Sequence, residues 1–63
     1  MCESNAYLIK ENKEELILKD VTRVTFPREG WVELENVLGE EKEIAARLKE
    51  INLLEHKLIF ESS

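Results

Sequence analysis

The sequence predicts an all-β fold, a small barrel built from four to six short strands. Three observations carry that prediction. Short apolar and β-branched runs recur along the chain, as in Ala6-Tyr7-Leu8-Ile9, Leu16-Ile17-Leu18 and Leu58-Ile59-Phe60. Residues of these types suit a pleated, half-buried surface. Polar residues, Pro27, Gly30 and Gly39 punctuate the spaces between the runs, and such residues mark turns. Residues 31–36 alternate, with Val32 and Leu34 on one side and Glu33 and Glu35 on the other, which is the period of a half-exposed strand. A barrel also suits a short chain, because closure removes exposed sheet edges.

Residues 5–10 form the first predicted strand and residues 15–19 the second, with the polar Glu11-Asn12-Lys13 as the turn of a hairpin. Asp20 interrupts, and the β-branched stretch 21–26 follows as a separate strand. Pro27-Arg28-Glu29-Gly30 is a turn, residues 31–36 a strand, and Gly39-Glu40-Glu41 another turn. The next segment reads two ways. Ile44, Leu48, Ile51 and Leu54 recur at spacings of 4, 3 and 3, a helical period, and residues 43–50 favour helix by propensity. A strand would instead place Ile44, Ala46 and Leu48 on one face. Local pattern alone leans to the helix. Glu55-His56-Lys57 is a polar break before the terminal strand at 58–60. No repeat, linker or low-complexity run divides the chain, so residues 1–63 form one domain.

Composition bounds the function. A chain of 63 residues that is 43% hydrophobic has enough apolar residue for a core, but is short for an enzyme with a buried catalytic cleft. A net charge of -5 suits phosphate backbones poorly, since these reward clustered Lys and Arg. It suits a cationic partner or a metal ion better. No apolar run of about 18 residues exists, so no membrane-spanning helix is expected. Met1-Cys2-Glu3-Ser4-Asn5 lacks a basic n-region and an apolar h-region, so no secretory signal is expected and the location is cytoplasmic. One cysteine forbids an intrachain disulfide, and a single cysteine with a single histidine cannot build a zinc cage of four cysteines, or of two cysteines and two histidines. Ordering this chain costs on the order of 90 kcal/mol of conformational entropy, while a domain of this size buries only about 60% of its unfolded surface. Homodimerisation is the expected remedy.

Cys2 is the first candidate for chemistry. Cysteine is small enough for Met1 to be removed, which leaves a free α-amine beside a thiol on one residue. Amine nitrogen and thiolate sulfur close a five-membered chelate on a metal, and the amide nitrogen of Glu3 adds a donor if the metal displaces its proton. If Met1 stays, its amine and the Cys2 amide join the thiolate instead. Planar nitrogen and sulfur donors favour Ni(II) or Cu(II) over Zn(II). One short segment offers few donors, so two chains sharing an ion is an open alternative, as is an incidental exposed thiol. His56 is a second candidate, as a ligand if it approaches Cys2, as a group that titrates near neutrality, or as a solvated turn residue. Glu40, Glu41 and Glu43, or Glu14 and Glu15, stand with no nucleophile and read as solvated charge. Trp31 and Phe26 flank the Pro27–Gly30 turn and read as core or dimer-interface residues, since the basic groove that accompanies base stacking is missing.

Met1-Cys2-Glu3-Ser4-Asn5-Ala6-Tyr7-Leu8, Glu15-Leu16-Ile17-Leu18-Lys19-Asp20-Val21, Leu38-Gly39-Glu40 and Arg47-Leu48-Lys49-Glu50-Ile51-Asn52-Leu53-Leu54-Glu55-His56-Lys57-Leu58-Ile59 together resemble the CooT family, small nickel-binding proteins named for an accessory protein of carbon monoxide dehydrogenase maturation. The resemblance implies an SH3-like barrel, a homodimer, and Ni(II) held through the cysteine that follows the initiator methionine, here Cys2. It also implies a strand over residues 46–52 in place of the helix. The expected function is a nickel(II)-binding accessory protein, or metallochaperone, that delivers nickel to or stores it for a nickel enzyme such as carbon monoxide dehydrogenase, with Cys2 and Glu3 as the metal-binding residues and no catalysis of its own. Proteins that look like this have also been described as RNA-binding. That alternative needs a positive patch from Arg23, Arg28, Arg47 and Lys49, and the acidic charge opposes it. A third reading is a structural interaction module in which dimerisation is the function.

Overall fold

The computed structural model describes residues 3–62, which form six strands and no helix. They are β1 (Ser4–Lys10), β2 (Lys13–Thr25), β3 (Val32–Asn36), β4 (Glu41–Ile44), β5 (Ala46–Asn52) and β6 (Lys57–Ser62). All six join one sheet in the order β4-β3-β2-β1-β6-β5. Every pairing is antiparallel except β1 with β6, which is parallel from Asn5↔Lys57 to Ile9↔Glu61. β1 therefore runs through the middle of the sheet.

The β1–β2 hairpin closes on Glu11 and Asn12, both with positive φ (52° and 65°), the backbone of a two-residue turn whose twist matches the strands. β2 is one continuous strand where the sequence suggested two. Asp20 does break the pattern, but as a bend: its φ is 57°, a region that aspartate tolerates better than most residues. The pairing changes there. Before the bend β2 pairs with β1, Val21 just after it faces both Ser4 of β1 and Asn36 of β3, and the rest pairs with β3 to Thr25↔Glu33. One strand thus serves both halves of the sheet. The second turn is closed by the Trp31 amide donating to the Arg28 carbonyl at 3.1 Å, with Gly30 at φ 84° supplying the left-handed residue that such a turn requires.

Residues 46–52 are a strand, as the family resemblance implied and local propensity did not. The reason is visible in exposure. Leu48, Ile51 and Leu54 are 37%, 52% and 91% exposed, so the helical period joins residues that share no buried face. What fixes β5 is its ladder with β6, from Ala46↔Ser62 to Asn52↔Lys57, since pairing overrides weak local preference.

The core is Ala6, Val21, Val32, Leu34, Ala46 and Phe60, with Ile59 also buried. The alternation read from residues 31–36 holds, with Val32 and Leu34 fully buried and Glu33 exposed. Phe26 is 56% exposed and so is not core. Barrel closure needs correction. β4 and β5 occupy the two edges of the sheet, and no ladder joins them. They are nevertheless consecutive, separated only by Ala45. Strands lie about 4.8 Å apart and successive Cα atoms about 3.8 Å apart, so the sheet must roll until its edges approach. The result is a rolled but open sheet. The β5 edge carries a register shift at Lys49, and a bulge with a lysine hinders edge-to-edge pairing.

Candidate functional site

The N-terminal metal site expected at Cys2 and Glu3 falls at the edge of what the structure describes. Cys2 lies outside the described residues; Glu3 is half-buried just before β1. The residues that follow are anchored on both sides. Ser4 is buried and sits opposite Val21 of β2. Asn5 pairs with Lys57 of β6, and its amide donates to the His56 carbonyl at 2.9 Å. Its side-chain oxygen accepts the Asp20 amide at 3.0 Å. The start of β1 is therefore held between the β2 bend and the β5–β6 turn.

His56 is thus a neighbour of the β1 start through its backbone. Its φ is 57° and the residue is exposed. The sequence offered no sign of this proximity, because the parallel β1–β6 pairing joins the two ends of the chain. Lys57, the next residue, lies with its ammonium 5.1 Å from the centre of the Tyr7 ring and 3.3 Å from a Glu14 carboxylate oxygen. That carboxylate accepts its hydrogen bond and attracts its charge, which raises the Lys57 pKa above its ordinary 10.5.

The other candidate groups are dispersed. Among the described residues no three His, Cys, Asp or Glu side chains converge on a metal-sized site. Glu14 is engaged by Lys57, and Glu40 accepts the Asn36 side-chain amide at 2.6 Å. Asn36 is a residue the sequence reading missed. It is 6% exposed, and its side-chain oxygen accepts the amides of Leu38 (3.1 Å) and Glu40 (2.9 Å). Its backbone amide also donates to the Glu40 carbonyl at 3.0 Å. An asparagine shortly ahead of Gly39-Glu40 is the available sequence signal for such a turn. Beside it an open cleft of about 370 Å³ runs between β2 and the β3–β4 turn, lined by Leu16, Leu18, Asp20, Asn36, Leu38 and Glu40.

The cations named for a nucleic-acid surface are largely occupied. Arg23 faces Glu35 at 3.7 Å, Arg47 bonds Glu61 at 3.0 Å, and the Arg28 guanidinium lies 4.6 Å from the centre of the Trp31 ring. The first two have their positive charge neutralised locally.

Fold and site together define a small all-β protein of one rolled six-stranded sheet, whose single cysteine precedes the anchored central strand in sequence. The family model described as CO dehydrogenase accessory protein CooT matches residues 1–61. A crystal structure assigned to CooT from Carboxydothermus hydrogenoformans is 35% identical, with 98% of each chain covered and a TM-score of 0.87. No curated protein matches the sequence significantly. The chain belongs to the CooT family.

Proposed function

We propose that this protein is a nickel(II)-binding accessory protein that delivers nickel to, or stores it for, a nickel enzyme such as carbon monoxide dehydrogenase. One observation carries the reading: the family model of CO dehydrogenase accessory proteins spans the chain from its first residue, Cys2 included. The chemistry of Cys2 supports it. Thiolate with backbone nitrogen at Cys2 and Glu3 is a donor set that suits a planar Ni(II). A site at the chain's start also suits transfer, because the ion must leave as well as arrive. The protein acts in the cytoplasm, as a homodimer, and its client is the enzyme that receives the metal. Nickel is cargo here, and the protein catalyses no reaction of its own.

The experiment is a Ni(II) titration of untagged protein, followed by ultraviolet-visible absorption, beside Cys2→Ser. A saturable sulfur-to-nickel charge-transfer band is expected in the parent and absent in the variant, while far-ultraviolet circular dichroism of the two coincides. The thiol must lose its proton to bind, so affinity falls as pH drops. A variant that binds nickel as well as the parent overturns the assignment.

A further inference from the structure

Asp20 and His56 both hold left-handed backbone, each at φ 57°, without glycine's freedom to do so. They lie far apart in sequence, on the β2 bend and the β5–β6 turn. Both aim a backbone group at the same residue. The Asp20 N–H donates to the Asn5 side-chain oxygen at 3.0 Å, and the His56 carbonyl accepts the Asn5 N–H at 2.9 Å. Left-handed backbone is uncommon outside glycine, although aspartate and histidine adopt it more readily than most residues, and here two such residues converge on one asparagine and mark a built junction. Asn5 is the third residue after Cys2, and its buried neighbour Ser4 is already locked against Val21.

We infer that Asn5 is a positioning residue for the N-terminal nickel site, fixing where the sheet ends and so where the donor segment begins. The inference rests on the nickel reading above. Asn5 touches no metal in this role. It acts through the chain, and only its side-chain oxygen is specific to the task, because any residue but proline supplies the N–H to His56. A donor set carried by a loosely held strand would be competent for only part of the time, and apparent affinity falls by that fraction. One net intramolecular hydrogen bond is worth a factor of about five.

The test compares Ni(II) titrations of the parent, Asn5→Ala and Asn5→Asp in untagged protein, read by the charge-transfer band in absorption and circular dichroism. Asn5→Ala is expected to bind more weakly, by at most about fivefold, with an altered dichroism of the band. Asn5→Asp, which keeps the acceptor oxygen, is expected to restore the band's shape. A folded Asn5→Ala whose affinity and band are both indistinguishable from the parent's overturns the inference and leaves the nickel reading standing. A parent that shows no band overturns the nickel reading and this inference with it. Should Asn5→Ala fail to fold, the parent alone decides. If Ni(II) binds the held strand better than the loose one, saturating Ni(II) must raise the hydrogen-exchange protection of the Asp20 amide, and unchanged protection overturns the role.

Discussion

At the scale of single residues, the polar side chains with the most contacts were the hardest to read. Asn36 looks in sequence like the polar end of a strand, yet it is buried and its carboxamide organises residues 36–40. The Gly39-Glu40 that follows marks a turn, but its burial, which sets it apart from Asn12 and Asn52, is decided by the fold. Asn36→Ala leaves two part-buried amides without their acceptor, and an unsatisfied donor costs about 1–3 kcal/mol. The variant should lose about 2 kcal/mol, read as a lower urea midpoint with an unchanged m-value. A loss below about 0.5 kcal/mol would show that water replaces the carboxamide there. Cys2 is the opposite case. Its candidacy was legible from chemistry alone, since an α-amine and a thiol on one residue need no fold to be adjacent.

At the scale of elements, strands were legible where their two faces differ. Residues 31–36 were, because Val32 and Leu34 are buried and Glu33 is not. β5 was not, because of its residues 46–52 only Ala46 is buried, and an edge strand with two wet faces carries no alternation to read. β2 was legible as two pieces because the Asp20 bend resembles a break; only its partners on either side make it one strand. The ends of the chain are tied by pairing that sequence does not announce. Lys57 on β6 reaches Glu14 on β2 across the intervening β1. Its pKa is raised in the fold by that hydrogen bond and charge. A raised basic pKa adds stability that is complete below the unfolded value of 10.5 and is lost as pH rises through the folded value. The thermal midpoint of the parent should therefore exceed that of Glu14→Gln by a constant margin from neutral pH to about 10, and the margin should close above 10.5. Melting curves of both proteins over that range check it. A margin that survives into strong alkali would assign the loss to packing of the Glu14 stem and not to the pair.

At the scale of the whole molecule, class was legible and assembly was only implied. The radius of gyration is 10.7 Å, against about 10.6 Å for a compact domain of this length, so the chain is as collapsed as one copy can be. It is nevertheless apolar outside. Among the described residues eight large hydrophobics are exposed, Leu38, Leu53 and Leu54 by 80%, 74% and 91%, while the buried hydrophobics number seven and include two alanines. The two rolled edges, β4 and β5, are also left without a ladder between them. A monomer so arranged leaves eight large apolar side chains exposed and packs six more only partly buried against its core, and burial is worth roughly 25 cal/mol per Å². A second copy that covers part of this surface removes the imbalance, which is the physical content of the proposed homodimer. Light scattering after size exclusion should give about twice 7.4 kDa, and the thermal midpoint should rise with protein concentration, because dissociation is then part of unfolding. A mass of 7.4 kDa with a midpoint independent of concentration would mean that the single rolled sheet sustains itself, and the exposed leucines would then have to be explained by a partner other than a second copy.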